Sequence, residues 1–105
     1  MITIARCTAS DCSILADLWN TKRLEPDSCW YGAQVVDGAY IEQLLSAGFE
    51  ISIASRDVTP VGFGLWYGAS GTGRLVALAG DDEVYYRLLL EFCDWGIALS
   101  IQNAY

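Results

Sequence analysis

Three groups of residues in this 105-residue chain could do chemistry. The first is the glycine run Gly68-x-x-Gly71-x-Gly73, whose free amides could cradle a phosphate if a helix began directly after them. The next segment, Arg74-Leu-Val-Ala-Leu-Ala79, reads as a strand, so the amides would not converge and no helix dipole would point at the anion. A strand-to-strand turn is expected there. The second group is the cysteines Cys7, Cys12, Cys29 and Cys93, which have neither the spacing of a zinc knuckle nor that of a Cys-x-x-Cys redox pair. They are expected to be reduced, metal-free and packed as small apolar side chains. The third is the carboxylates Glu50 and Glu91, general bases by type, although a solvated surface position suits both better. The chain has no histidine, which removes the commonest general base and metal ligand, and any serine or cysteine nucleophile that relies on imidazole.

Aromatic residues could bind rather than react. Trp30 and Tyr31 follow Cys29 in a stretch without apolar period, so they form either a lid over the core or a contact surface for a partner. Trp66 falls on the same side of its strand as Gly62 and Gly64, where core packing is the simpler reading. A net charge of −7, with no basic stripe, repels phosphate backbones and anionic membranes, so no direct nucleic-acid or membrane partner is expected. With 53% hydrophobic residues the chain has ample material for a core, and its length allows one domain over residues 1–105. No basic start followed by an apolar core marks a signal peptide, and no apolar run approaches the ~20 residues that span a bilayer. A cytoplasmic protein is expected.

The elements that position these groups follow from period and punctuation. Ile2 and Ile4 alternate with Thr3 and Ala5 in a first strand over residues 2–7. Ser10 or Asp11 caps a helix whose apolar face is Ile14, Leu15, Leu18 and Trp19, ending near Asn20. Residues 21–36 make a long connection. Asp37 caps a second helix with Tyr40, Ile41, Leu44 and Leu45 on one face, and Gly48 stands where a left-handed terminating residue is wanted. Phe49, Ile51 and Ile53 alternate along strand two, and residues 56–60 form a hairpin connection. Val61, Phe63, Leu65 and Tyr67 give strand three, with Gly62 and Gly64 leaving its other face bare for a close approach. Residues 74–79 form strand four, apolar enough for burial on both faces. Asp81, Asp82 and Glu83 open a last helix, in which Val84, Leu88, Trp95 and Leu99 make one apolar row that Tyr85, Leu89, Phe92 and Cys93 widen.

The implied architecture is α+β: a mostly antiparallel four-stranded sheet, two N-terminal helices and one long apolar C-terminal helix. The capped helix after the first strand, then residues 51–54 and Pro60-Val-Gly-Phe-Gly-Leu65, resemble the N-terminal half of the GNAT acyltransferase superfamily. The resemblance implies acetyl-coenzyme A as cofactor, with its pyrophosphate between the fourth strand and the next helix. The matching segment is Ala79-Gly80-Asp81-Asp82-Glu83-Val84, in which the three acids stand where the polyanion would lie; on an enzyme reading Leu78, Ala79 and Gly80 are the cofactor-binding positions. At an effective dielectric of about 20, each like-charge pair at ~4 Å costs about 4 kcal/mol before screening. The family's carboxylate base on the fourth strand is absent, and Tyr105 matches no family position.

Two functions are therefore expected in order. The first is a non-catalytic acidic module with no cofactor that docks on a basic protein surface, as inhibitors from phages and mobile elements do. The alternative is an acyl-coenzyme-A-dependent N-acyltransferase completed by dimerisation or by a second chain. A homodimer is expected on either reading. Strand four would otherwise present an uncharged edge over residues 75–79, and the last helix has more apolar side chains than one sheet can cover. Trp30, Tyr31, Leu89, Trp95 and Leu99 are the candidate partner contacts.

Overall fold

Alternation along the strands decides which helix covers which face of the sheet. In the computed structural model, which describes residues 1–22, 35–69, 72–98 and 103–104, the sheet is built from β1 (Ile2–Arg6), β2 (Glu50–Arg56), β3 (Thr59–Ala69), β4 (Thr72–Ala79) and a short β5 (Asn103–Ala104). The helices are α1 (Cys12–Lys22), α2 (Gly38–Ser46) and α3 (Asp82–Ala98). Strands lie in chain order; β1 to β4 are antiparallel neighbours and β5 runs parallel to β4. With Ile53 opposite Phe63 and Leu65 opposite Ala77, period two sends Ile51, Ile53, Phe63, Leu65, Ala77 and Ala79 to one face. There they pack on Leu15, Ala16 and Trp19 of α1 and Ile41 of α2. Ile2, Ala54 and Leu78 turn to the other face, against Val84 and Leu88 of α3. The sheet is thus sandwiched between α1 with α2 and α3.

The helix boundaries have local causes. Before α1 a short 3₁₀ turn, Ala9–Asp11, is closed by the Thr8 amide, which donates to the Asp11 carboxylate at 3.0 Å. The capping residue is therefore Thr8 rather than Ser10 or Asp11, and α1 runs two residues past Asn20. Asp37 caps α2 as expected, accepting from the Tyr40 amide at 2.9 Å, and Gly48 takes φ +94° after the helix. Trp19 stacks on Phe63 at 5.1 Å between ring centroids, fixing α1 over the middle of the sheet.

The hairpin between β2 and β3 is tighter than a five-residue connection: Arg56 pairs with Thr59, leaving Asp57 and Val58 as the turn, with Asp57 at φ +59°. Pairing of β3 with β4 continues out to Ala69 opposite Thr72, so the glycine run joins two strands. The fifth strand is a feature the four-strand expectation lacked. It pairs with Thr72 and Gly73 at the start of β4.

Candidate functional site

β4 is the strand on which the candidate site rests, and its register is interrupted. Leu65 faces Ala77 but Trp66 faces Leu75, so Val76 is an extra residue, a bulge whose side chain is 43% exposed. Bulges bend a strand and recur beside functional sites. Among the described residues β5 covers only Thr72 and Gly73, so residues 74–79 have no second strand partner there. Leu78 and Ala79 are buried, on opposite faces of the sheet, and what they offer on this side is backbone. Gly80 then turns the chain into α3 at φ +145°, and an added Cβ would lie 2.9 Å from Val84 Cβ. Its glycine is explained by the turn itself.

Val84 also explains Gly62. A Cβ there would collide with the Ala79 carbonyl and with Val84, so the bare face of β3 receives the start of α3. At Gly64 the approaching group is Trp66, whose Cζ3 would stand 2.6 Å from an added Cβ. Trp66 is fully buried and packs with Phe92 and Trp95.

The α3 N-terminus is already supplied with negative charge. The Asp81 carboxylate accepts from the Val84 amide at 3.0 Å, and Arg56 at the end of β2 reaches Asp81 at 3.1 Å and Glu83 at 3.8 Å. The Val84 amide, then Arg56, hold Asp81 below the usual carboxylate range, and the same contact raises the Arg56 guanidinium. Asp82 and Glu83 stay exposed beside it. The helix end that could receive a diphosphate has its amide donor engaged and carries three carboxylates against one guanidinium. The diphosphate of coenzyme A does not fit there.

Of the other sequence candidates, Trp30, Tyr31, Leu99 and Cys29 lie outside the described residues. Trp95 is a core residue, 9% exposed, and Leu89 is half-buried at the edge of the same α3 clusters. Glu50 pairs with Arg6, and Glu91 is half-buried on α3. Cys7 and Cys12 are buried and Cys93 is exposed. Among the described residues no group of three metal-ligating side chains comes together, and no helix is long and apolar enough to cross a membrane. Two adjoining hollows between α1 and the strands β1 to β3 share Ile14 and Pro60, and neither is lined by a residue of β4 or α3. Sequence reasoning missed Arg56, because nothing local ties it to acids 25 and 27 residues further on, and Val76, because a bulge leaves no mark in an apolar run.

No protein-family model matches the chain, and no curated protein matches it in sequence. Solved structures do match. The ribosomal-protein-alanine N-acetyltransferase of Brucella melitensis biovar Abortus 2308 superposes with a TM-score of 0.77 at 18% identity, over 99% of this chain and 77% of that one. An aminoglycoside acetyltransferase from an uncultured soil metagenomic sample, in complex with sisomicin, gives 0.77 at 14% identity, over 99% and 75%. The fold is of the GNAT type. A third GNAT-type match, the N-acetylglutamate synthase of Neisseria gonorrhoeae complexed with coenzyme A and N-acetyl-glutamate, gives 0.70 at 19% identity, covering 96% of this chain and 24% of that one. Leu78 and Ala79 close β4, and Gly80 leads into α3.

Proposed function

We propose that the chain binds the donor of an N-acyltransferase reaction, an acyl thioester of the coenzyme A type. The observation that carries this reading is that, among the described residues, β4 has no second strand partner beyond its short pairing with β5, on a fold whose solved neighbours include a coenzyme A complex. A pantetheine arm bears two amides, and an extended amide chain adds to a free strand edge as a further strand would. The backbone from Leu78 to Gly80 is the segment that would hold it. Coenzyme A would supply the activated acyl group. Its diphosphate meets the acids of α3, so the reading separates the two ends of the cofactor: the neutral arm is accommodated and the anionic end is repelled.

Calorimetry at low salt with S-acetylpantetheine and acetyl-coenzyme A tests this. S-acetylpantetheine is expected to bind equally to the native chain and to the triple variant Asp81→Asn, Asp82→Asn, Glu83→Gln. Acetyl-coenzyme A is expected to bind the variant at least about tenfold more tightly, a gain of about 1.4 kcal/mol. Binding of neither donor to either protein would refute the proposal.

The same acids favour a second reading, the cofactor-free acidic module that docks on a basic protein surface. On that reading a cationic partner neutralises Asp82 and Glu83, and the triple variant loses partner binding while gaining no donor.

A further inference from the structure

α3 carries two apolar rows. Val84, Leu88, Phe92 and Trp95 turn inward and are buried. On the opposite side Tyr86, Leu90, Cys93 and Ile97 recur at intervals of four, three and four residues, with Tyr86 61%, Leu90 43% and Ile97 77% exposed. That interval pattern is the seam along which two helices pack side by side. Arg87 and Asp94 stand one heptad apart on the same flank of the seam, both exposed, and among the described residues neither is in an ion pair.

We infer that this row is the contact with a second copy of the chain, α3 against α3 in antiparallel orientation about a twofold axis beside Glu91. Antiparallel pairing about that point sets Leu90 against the partner's Cys93 and Tyr86 against the partner's Ile97. It also brings Arg87 beside the partner's Asp94, twice over by symmetry. A parallel pairing would leave this flank of the two copies on opposite sides of the seam, so Arg87 meets the partner's Asp94 only in the antiparallel arrangement. The row is apolar and its flank carries one charge of each sign, which suits a copy of itself better than a strongly basic protein. The seam lies on the side of α3 turned away from the sheet, so it involves none of Leu89, Trp95 and the β4 edge.

Light scattering on the full chain across micromolar concentrations is expected to report about twice 11.5 kDa. Leu90→Arg, at an exposed position and with native circular dichroism as the control for folding, is expected to give the monomer. Arg87→Asp or Asp94→Arg alone should weaken the dimer about tenfold, and the two together should restore it, a recovery that a merely structural effect would not produce. Leu90→Cys should oxidise with the partner's Cys93 to a covalent dimer reversed by reductant, whereas Thr3→Cys should not. A monomer at all concentrations overturns the inference and leaves the row to a different protein or to a further segment of chain. A dimer indifferent to Leu90→Arg and to the charge exchange also overturns it.

Discussion

The side-chain amide of Asn20 makes both backbone hydrogen bonds of Val36: its Nδ2 donates to the Val36 carbonyl and its Oδ1 accepts from the Val36 amide, each at 2.8 Å. One side chain near the end of α1 thereby imitates a strand neighbour for the residue just before the α2 cap. Asn20→Ala removes both bonds and leaves two backbone groups of a half-buried segment unsatisfied. A loss of about 1–3 kcal/mol in denaturant unfolding is expected, and Asn20→Asp, which sets a carboxylate oxygen against the Val36 carbonyl in place of the Nδ2 donor, should lose at least as much.

The capping carboxylate of α3 gives stability an acid limb. Asp81 is held below its usual range by the Val84 amide and Arg56, so the native state binds its proton less readily than the unfolded chain does. This contribution is fully present above the ordinary carboxylate range and is lost as pH falls below that range through the lower value Asp81 has in the fold. Thermal melts should show that acid loss in the native chain and a weaker one in Asp81→Ala. Because Arg56 and Asp81 are exposed, salt should diminish the difference.

At the alkaline end the buried thiol of Cys7 governs. Burial first, then Cys12 and Asp11, push it from 9.0 up to about 12. A raised value means that the contribution is complete below about 9 and disappears as pH climbs toward 12. Thiol labelling near pH 8 should accordingly modify exposed Cys93 in the folded protein and reach Cys7 and Cys12 only after unfolding. Equal labelling rates for all three would contradict their placement.

Two glycines should respond to alanine with opposite signs. At Gly62 an added methyl meets the Ala79 carbonyl and Val84, and overpacking of this kind costs about 1–3 kcal/mol. At Gly96, inside α3, none of the described residues lies within 4 Å of an added Cβ. Alanine there should stabilise the protein by about 0.5–1 kcal/mol through helix propensity. Urea midpoints of the two variants test the contrast.

Much of this fold is legible because its signals are local. Asp37 and Gly48 bracket α2 by side-chain and backbone chemistry that needs no distant partner, and the alternation of Phe49, Ile51 and Ile53 specifies a face wherever the strand lies. The bare face of β3 at Gly62 and Gly64 is readable as a close approach, although the sequence does not say that Val84 and Trp66 make it. The candidate site is less legible. The Arg56 contact with Asp81 joins residues on separate elements, and the bulge at Val76 is a matter of register. A helix apolar on two sides does not announce which row meets the sheet. Small residues opposite its first turns, Gly62 and Ala54, admit Val84 and Leu88, and further along Trp95 packs on Trp66 and Phe92.

The chain-order arrangement of β1 to β4 bears on how the protein is made. Within β1 to β4 each strand pairs with the one synthesised just before it, and of these joinings only that of β1 to β2 must wait for a long intervening stretch. A chain leaving the ribosome can therefore assemble the sheet in the order of translation, each new strand meeting an edge already formed. α3 emerges last among the helices, so until its synthesis the apolar face of Ile2, Ala54 and Leu78 stands open to water. A pause in translation before residue 82 would hold the nascent chain in its most adhesive state.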